Sequence, residues 1–218
     1  MIVRKSFAEF TGALLLTACV VGSGAMAERL AGGNLAISLL ANTLATVFVL
    51  GALISTFGPV SGAHFNPAIS AVALLSRQID ARTAGAYVVA QIAGCCAGAV
   101  LANAMFELPL VHLSSHARSG AAQWLSEVVA TCGLIFIAFR SRTYHEAAWR
   151  VALWIGAAYW FTASTSFANP AITIGRSLSD TFAGIRPVDI PGFIVAQALG
   201  ALLGAVLLRA LAVREASA

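Results

Sequence analysis

The chain contains the run Ser164-Thr165-Ser166-Phe167-Ala168-Asn169-Pro170-Ala171 and, about a hundred residues earlier, the run Ser61-Gly62-Ala63-His64-Phe65-Asn66-Pro67-Ala68. In both copies a short apolar segment of about ten residues follows, and it ends at Arg77 in the first copy and at Ser179-Asp180 in the second. Proline is favoured at the first position of a helix, and asparagine directly before it is a strong N-cap. Each copy therefore predicts a short helix that begins at Asn-Pro. At ~1.5 Å per residue its length is about 15 Å, half of a ~30 Å hydrocarbon core.

The composition is that of an integral membrane protein. Hydrophobic residues make up 59% of the chain and charged residues only 10%, whereas a soluble domain averages about 25% charged residues. Six apolar stretches are candidates to span a bilayer, and most of them reach the ~20 residues that this requires. They are Phe7–Ala27, Leu35–Phe57, Thr83–Phe106, Gln123–Phe139, Ala147–Ala163 and Ile190–Val213. The sequence predicts an all-α membrane protein, with six transmembrane helices and two re-entrant half-helices in a single domain over residues 1–218.

The chain also contains an internal repeat, with a first copy at about residues 1–106 and a second at about residues 121–218. Residues 87–100 align with residues 193–206, and both stretches carry two glycines four residues apart. The matched pairs are Gln91 with Gln197, Gly94 with Gly200 and Gly98 with Gly204. Small residues at this spacing form a flat stripe that lets membrane helices approach closely. We therefore interpret these glycines as packing residues.

Each repeat holds three spans, an odd number, so the second repeat enters the membrane upside down relative to the first. The two half-helices are then expected to meet at the midplane through Asn66 and Asn169, as in transport proteins with interrupted helices. Each N-terminus carries about half a positive charge, and each asparagine offers two N–H donors. A neutral hydroxylated solute can accept these hydrogen bonds. A cation cannot, and at an effective dielectric near 20 the charge costs it roughly 4 kcal/mol.

The thirteen basic residues divide unevenly between the two sides of this six-span arrangement. Nine share one side, namely Arg4, Lys5, Arg77, Arg82, Arg140, Arg142, Arg150, Arg209 and Arg214. The other four are Arg29, Arg118, Arg176 and Arg186. The positive-inside rule then predicts a multi-pass protein of the cell inner membrane with both termini in the cytoplasm. A cleavable signal peptide is the competing interpretation of the first span, but Glu9 interrupts its apolar run.

Glu9 in the first span and Glu127 in the fourth occupy corresponding places in the two repeats. A carboxylate near the end of a membrane helix can extend to the interface. Alternatively, each Glu accepts hydrogen bonds from backbone N–H groups of an inserted loop, which lipid cannot satisfy. The repetition favours the second interpretation, and we group His64 with these loop-supporting residues. His112 and His116, in the longest polar connector, are expected to be solvated rather than metal ligands.

The residues described so far resemble the aquaporin and aquaglyceroporin family over nearly the whole chain. The resemblance rests on the run 61–68, the second Asn-Pro-Ala and the two Glu-bearing spans. It implies six tilted helices, re-entrant loops that carry the two motifs, and a homotetramer in the lipid bilayer with one pore in each protomer. The pore motifs would be Asn66, Pro67, Ala68, Asn169, Pro170 and Ala171.

Departures from the family pattern concern the narrow outer filter. Most members place arginine directly after the second Asn-Pro-Ala, where this chain has Ile172. Thr46 stands where the second span usually has a large aromatic residue. The fifth-span position falls on Ala157, or on Gly156 after a shift of one residue, and Ser166 supplies the remaining position. A filter of Thr46, Ala157, Ser166 and Ile172 lacks a cationic group and bulky rings. We therefore expect it to be wider and more apolar than a water-selective one.

Residues 172–185 are similar to a bacterial subgroup associated with arsenic-resistance proteins. This likeness implies arsenite, As(OH)3, or methylated arsenicals as solutes.

Arg176 lies four residues after Ile172, hence on the same helix face and one turn further outward. Two interpretations of Arg176 stay open. It guides anionic or polar solutes into the pore mouth, or it pairs with Asp180 or reaches lipid headgroups.

These observations predict a passive channel for small neutral solutes that excludes protons and cations. Candidate solutes are glycerol-like polyols, arsenite or methylated arsenicals, and water. The alternative is a water- or ammonia-conducting channel with incidental solute permeability. A gated secondary transporter would need ionisable groups at the midplane, and a closed structural relative would need larger residues around the motifs. We find no nucleophile, acid–base pair, cofactor motif or metal-ligand spacing, and no reason to expect an enzyme or a nucleic-acid partner.

Overall fold

The computed structural model describes residues 1–211, which form α-helices, one short 3₁₀ helix and no strand. The elements are α1 (Ile2–Leu30), α2 (Leu35–Ser61), α3 (Pro67–Leu75), α4 (Ala81–Met105), α5 (Ala121–Arg140), α6 (Tyr144–Phe161), α7 (Pro170–Arg176), the 3₁₀ helix Pro187–Asp189 and α8 (Ile190–Ala210). The predicted fold class, with six long helices and two half-helices, is confirmed. Arg214, which belongs to the predicted basic side, lies outside the described residues.

Each of the six long helices overlaps one predicted apolar stretch. Five of them are long and apolar enough to cross a membrane, with mean hydropathies between 1.6 and 2.1. The exception is α6, which has 18 residues and carries Glu146 in its first turn and Arg150 one turn later. Its apolar part packs against α2 and α5. The charged start of α6 therefore explains why composition alone marks this span least clearly.

The two repeats pack in the same way, α1 against α4 and α5 against α8. Gly94 and Gly98 of α4 lie against backbone atoms of α1. In the second repeat, a methyl group added to Gly204 would lie 2.8 Å from the carbonyl oxygen of Cys132 in α5. Since no Cβ atom fits at such contacts, the glycine stripes set the distance between these helices. The packing role predicted for the glycines is confirmed.

The half-helices α3 and α7 differ in length. The nine-residue α3 ends at Leu75, close to the predicted end. The seven-residue α7 ends at Arg176, so the predicted end at Ser179-Asp180 is wrong. After Arg176 the chain tightens, because the N–H of Leu178 bonds to the carbonyl of Gly175 three residues back. It then leaves the helix to pair with another part of the chain.

That other part is the connector between the repeats, residues 106–120, which folds over one end of the bundle. The N–H groups of His112 and Ser114 donate to the carbonyls of Leu178 and Ser177, both at 3.0 Å. The carboxylate of Asp180 accepts the N–H of Ser115 at 2.8 Å. We call this end of the bundle the loop end. The opposite end is called the terminal end, because it carries Ile2 and Leu211.

Candidate functional site

The two Asn-Pro-Ala motifs begin the two half-helices. Asn66 and Asn169 are extended N-cap residues, with φ of −153° and −156°. The Oδ1 of Asn66 accepts the N–H of Ala68 at 2.9 Å, and the Oδ1 of Asn169 accepts the N–H of Ala171 at 3.0 Å. Both side-chain oxygens are therefore used within their own helix, which leaves each Nδ2 amide free to donate elsewhere.

The tips of the half-helices are joined by a reciprocal pair of hydrogen bonds. The Nδ2 of Asn66 donates to the carbonyl oxygen of Ala168 at 2.7 Å, and the Nδ2 of Asn169 donates to that of Phe65 at 2.8 Å. Each amide has two N–H groups, and each uses one of them across the junction. The structure thus brings the two motifs together and leaves one N–H of each asparagine for a solute, where the sequence alone suggested two.

The buried carboxylate of Glu9 holds the loop before α3. Its Oε1 accepts the hydroxyl of Ser61 at 2.6 Å and the N–H of His64 at 3.0 Å. Its Oε2 accepts the N–H of Phe65 at 2.6 Å and the amide of Gln91 at 2.7 Å. Glu9 is 0% exposed, so the carboxylate does not extend to the membrane interface.

Glu127 holds the loop before α7 with the same set of contacts. Its Oε1 accepts the hydroxyl of Ser164 at 2.6 Å and the N–H of Phe167 at 2.9 Å. Its Oε2 accepts the N–H of Ala168 at 2.8 Å and the amide of Gln197 at 2.6 Å. From sequence, Gln91 and Gln197 are recognisable only as a repeated pair. Their matched positions were the signal that could have assigned them to the two carboxylates.

The backbone of both loops adopts left-handed conformations directly before the asparagines. Phe65 has a φ of +48° and Ala168 a φ of +47°. Residues held there cost of order 1–3 kcal/mol each, which the contacts to the buried carboxylates offset. No donor in the described part of the chain bonds to the carbonyls of residues 62–64 or 165–167. These carbonyls remain available as acceptors.

His64 contacts residues of three different helices, α1, α3 and α4. Its N–H belongs to the Glu9 network, and its ring Nδ1 lies 3.0 Å from the hydroxyl of Ser70 in α3. The ring also packs edge-on against Tyr87, with 5.4 Å between the ring centroids. His64 therefore fixes the loop through its backbone and presents part of its ring to the space beside it.

A cavity of about 670 Å³ runs beside the joined tips. Lys5 and Arg142 line it at the terminal end, Asn66 and Asn169 in the middle, and Arg176 towards the loop end. We call it the central cavity. Because its wall extends from the terminal end past both asparagines to Arg176, a solute that crossed the molecule here would pass both motifs.

Comparison with known proteins assigns this arrangement to a family. The family described as "Major intrinsic protein" matches the chain twice, over residues 1–159 and over residues 119–218. The chain belongs to the major intrinsic protein family. It is accordingly a multi-pass membrane protein, and the two overlapping matches agree with its internal repeat.

Several major intrinsic proteins resemble the chain over most of its length. The aquaglyceroporin AqpS of Rhizobium meliloti (strain 1021) is 51% identical over 94% of this chain and 89% of its own. The glycerol uptake facilitator protein-like 6 of Lactiplantibacillus plantarum is 30% identical, with coverages of 93% and 95%. The solved aquaglyceroporin from Plasmodium falciparum aligns with a TM-score of 0.73 over 97% of both chains. Its sequence identity is 18%, so this likeness shows the fold alone.

Three of the four residues predicted for the filter of this major intrinsic protein lie on the wall of the central cavity. They are Thr46, Ser166 and Ile172. The hydroxyl of Thr46 donates to the carbonyl of Asn42 at 2.8 Å and lies 3.2 Å from the hydroxyl of Tyr159. Ile172 directly follows the second motif and is 7% exposed.

The assignment of Ala157 as the fourth filter residue is wrong. Ala157 is exposed on the outer side of α6 and does not line the cavity, and Gly156 packs against α2. The cavity wall instead contains Ile155 and Tyr159. Residues four apart share a helix face, so a residue midway between these two points away from the cavity. The cavity wall therefore carries an aromatic residue close to Thr46 that the predicted filter did not include.

Arg176 is more deeply buried than a residue at the opening of a pore would be. Its side chain is 2% exposed, its Cζ lies 3.4 Å from the ring centroid of Phe167, and its Nε donates to the carbonyl of Ala183. Within residues 1–211 it forms no ion pair with Asp180. The interpretation that Arg176 pairs with Asp180 or reaches headgroups is therefore wrong. The cavity wall does carry a cationic group, one helix turn beyond Ile172.

Arg118 is a buried residue that the sequence analysis missed. It lies in the connector, yet it is 6% exposed, and its guanidinium donates to the carbonyls of Gly184, Ser164 and Phe182 at 2.7–3.3 Å. Burial lowers the pKa of Arg118 to about 10, so the group stays charged at neutral pH. Its partners are backbone atoms of distant residues, and no spacing in the sequence could have revealed them.

The carboxyl of Asp180 ties the connector to the segment after α7. Its pKa is held below the ordinary value of 3.8, chiefly because the backbone N–H of Ser115 donates to it. The hydroxyl of Ser115 also donates to it at 3.0 Å, and the ring of His112 lies 3.9 Å away. A lowered carboxyl pKa means that the contact is present at neutral pH and is lost as the pH falls through that pKa.

Proposed function

We propose that this major intrinsic protein is a passive channel for small neutral solutes and has no enzymatic activity. The observation that carries the proposal is the position of the two joined asparagines on the wall of one cavity. That cavity extends from the terminal end of the bundle, past the two asparagines, as far as Arg176. A solute that follows it passes the remaining N–H groups of Asn66 and Asn169.

The chemistry of this centre favours neutral molecules that carry hydroxyl groups. Such molecules accept hydrogen bonds from the two asparagines and donate to the unpaired carbonyls of the two loops. A proton or a metal cation finds N–H donors and the positive ends of the half-helices at the same place. At an effective dielectric near 20, a combined unit charge about 4 Å away costs a cation roughly 4 kcal/mol. We therefore infer that the channel excludes protons and metal cations.

We propose glycerol-like polyols and water as solutes of the channel. Ile172 occupies the position after the second motif, and its side chain is shorter than the arginine that most members of the family have there. Relatives named as an aquaglyceroporin and as a glycerol uptake facilitator protein-like protein support this choice. The proposal extends to arsenite and methylated arsenicals through the resemblance of residues 172–185 to the arsenic-associated subgroup. Arsenite is neutral at pH 7 and similar to glycerol in shape.

The proposed setting is the inner membrane, with both termini in the cytoplasm and the loop end in the periplasm. The distribution of basic residues supports this orientation: Lys5 and Arg142 belong to the terminal end and Arg29 to the loop end. We further propose a homotetramer, as the family resemblance implies, in which each protomer has its own cavity.

Substitution of Ile172 tests the proposal. In proteoliposomes, stopped-flow swelling of the wild type is expected to show both glycerol and water permeation. Ile172→Arg places a long side chain in the cavity, so it should lower glycerol flux more than water flux. Ile172→Leu, which keeps the volume, is the matched control and should behave like the wild type. A proportional loss of both fluxes in Ile172→Arg would count against a solute-sized passage at this residue.

A further inference from the structure

The two terminal nitrogens of Arg176 make no hydrogen bond to any group of the residues that the structure describes. Within residues 1–211, the guanidinium makes a single hydrogen bond, from Nε to the carbonyl oxygen of Ala183. The side chain is 2% exposed, and it belongs to the wall of the central cavity. Arginine has five N–H donors, so the four on Nη1 and Nη2 are available to a ligand in the cavity.

The charge of Arg176 is also uncompensated in the described residues, where no carboxylate lies within 4.0 Å of it. The nearby carboxylates are already engaged. Glu127 accepts four hydrogen bonds from its loop and from α8, Asp180 binds the connector, and Asp189 pairs with Arg186. A buried charge without a partner is costly. A ligand that supplies the missing negative charge is therefore favoured.

Arg118 reinforces the positive potential without competing for a ligand. Its Cζ lies 5.0 Å from the ring centroid of Phe167, the ring on which Arg176 also rests. All three nitrogens of the Arg118 guanidinium already donate to backbone carbonyls. Two buried guanidinium groups thus share one aromatic ring, and of the two it is Arg176 that lines the central cavity.

We propose that Arg176 forms a binding site for a small carboxylate-type oxyanion at the loop end of the central cavity. The rigid fork of the guanidinium matches two oxygens on one carbon atom and binds them with two parallel hydrogen bonds. A three-carbon carboxylate has the size of glycerol, which is a solute of the channel. The site rests on the proposed channel function, because the ligand reaches Arg176 through the cavity. An anion bound there occupies the path of neutral solutes and slows their passage.

Glycerol and glycerate are suitable probes because they share a three-carbon skeleton and differ in the carboxylate. We expect sodium glycerate at neutral pH to inhibit glycerol flux into wild-type proteoliposomes, measured against sodium chloride at equal ionic strength and osmolarity. Loss of a charge-assisted pair of hydrogen bonds in Arg176→Met should raise the half-inhibitory concentration about tenfold or more. Arg29→Met removes the same charge from the loop end outside the cavity, and should leave inhibition unchanged.

Arg176→Lys keeps the charge and loses the fork, so it provides a second test if the methionine variant does not fold. Its half-inhibitory concentration should lie between those of the wild type and Arg176→Met. Equal inhibition in the wild type and both Arg176 variants, or no inhibition of the wild type, would overturn the site. In either case the wild type still conducts glycerol. Absence of glycerol flux from the wild type would instead overturn the proposed function.

Discussion

At the scale of single residues, Glu127 carries the largest number of contacts that define the second loop. One buried carboxylate binds two backbone N–H groups, a serine hydroxyl and a glutamine amide. Burial of an unpaired carboxylate would be prohibitive, but four donors compensate for the lost hydration. Glu9 does the same for the first loop. A carboxylate is unfavourable to bury in a membrane by itself. Here, together with its four donors, it stabilises the conformation of the loop.

Glu127→Gln should consequently destabilise the protein. The amide removes the charge and directs N–H donors at groups that are donors themselves, which costs about 3 kcal/mol. We expect a lower midpoint of thermal unfolding in detergent and a loss of glycerol flux. Glu107→Gln makes the same change at an exposed carboxylate, so its midpoint should match the wild type. Equal midpoints for Glu127→Gln and Glu107→Gln would show that the carboxylate does not hold the loop.

At the scale of elements, the distance between α1 and α4 depends on the glycine stripe of α4. Gly98 faces the carbonyl of Leu14 and the backbone nitrogen of Ala18. A Cβ atom added to Gly98 would lie 3.0 Å from that nitrogen. Gly85 lies in the same helix and has nothing within 4 Å of such an atom. The two positions share a helix and a residue type, and they differ in what surrounds them.

Gly98→Ala and Gly85→Ala should therefore have opposite effects on thermal stability. The added methyl at Gly98 pushes the helices apart and should cost about 1–3 kcal/mol. At Gly85 it only improves helix propensity, by roughly 0.5–1 kcal/mol. The unfolding midpoints in detergent check both signs. A Gly98→Ala midpoint at or above that of Gly85→Ala would mean that close approach of these helices is not what Gly98 provides.

Elements that repeat were predicted from sequence, and elements with partners far along the chain were not. The Asn-Pro start of each half-helix is local chemistry, and the structure has both starts at the expected residues. The end of α7 depends on the connector, which draws residues 177–180 out of the helix. Ala157 was assigned by counting from the second motif. The count gives a position along the chain, but the rotation of α6 about its axis decides which residue faces the cavity.

At the scale of the whole molecule, a nearly symmetric frame encloses an asymmetric cavity. Both halves use the same glutamate, the same glutamine and the same asparagine tip. The ends differ, because two buried guanidinium groups lie at the loop end and Lys5 and Arg142 line the terminal end. The repeat in the sequence predicted the frame. The lining of the cavity required the structure, since Tyr159 and Arg176 are placed by contacts that no repeat encodes.

The most direct test of a neutral-solute passage beside the joined asparagines is a paired flux measurement on wild-type proteoliposomes. Stopped-flow swelling in a glycerol gradient reports solute flux, and an enclosed pH dye reports proton flux in the same vesicles. We expect glycerol to equilibrate several times faster than in protein-free vesicles, while the proton flux stays at the protein-free rate. Glycerol flux no faster than in protein-free vesicles, or a proton flux that rises together with it, would contradict the account.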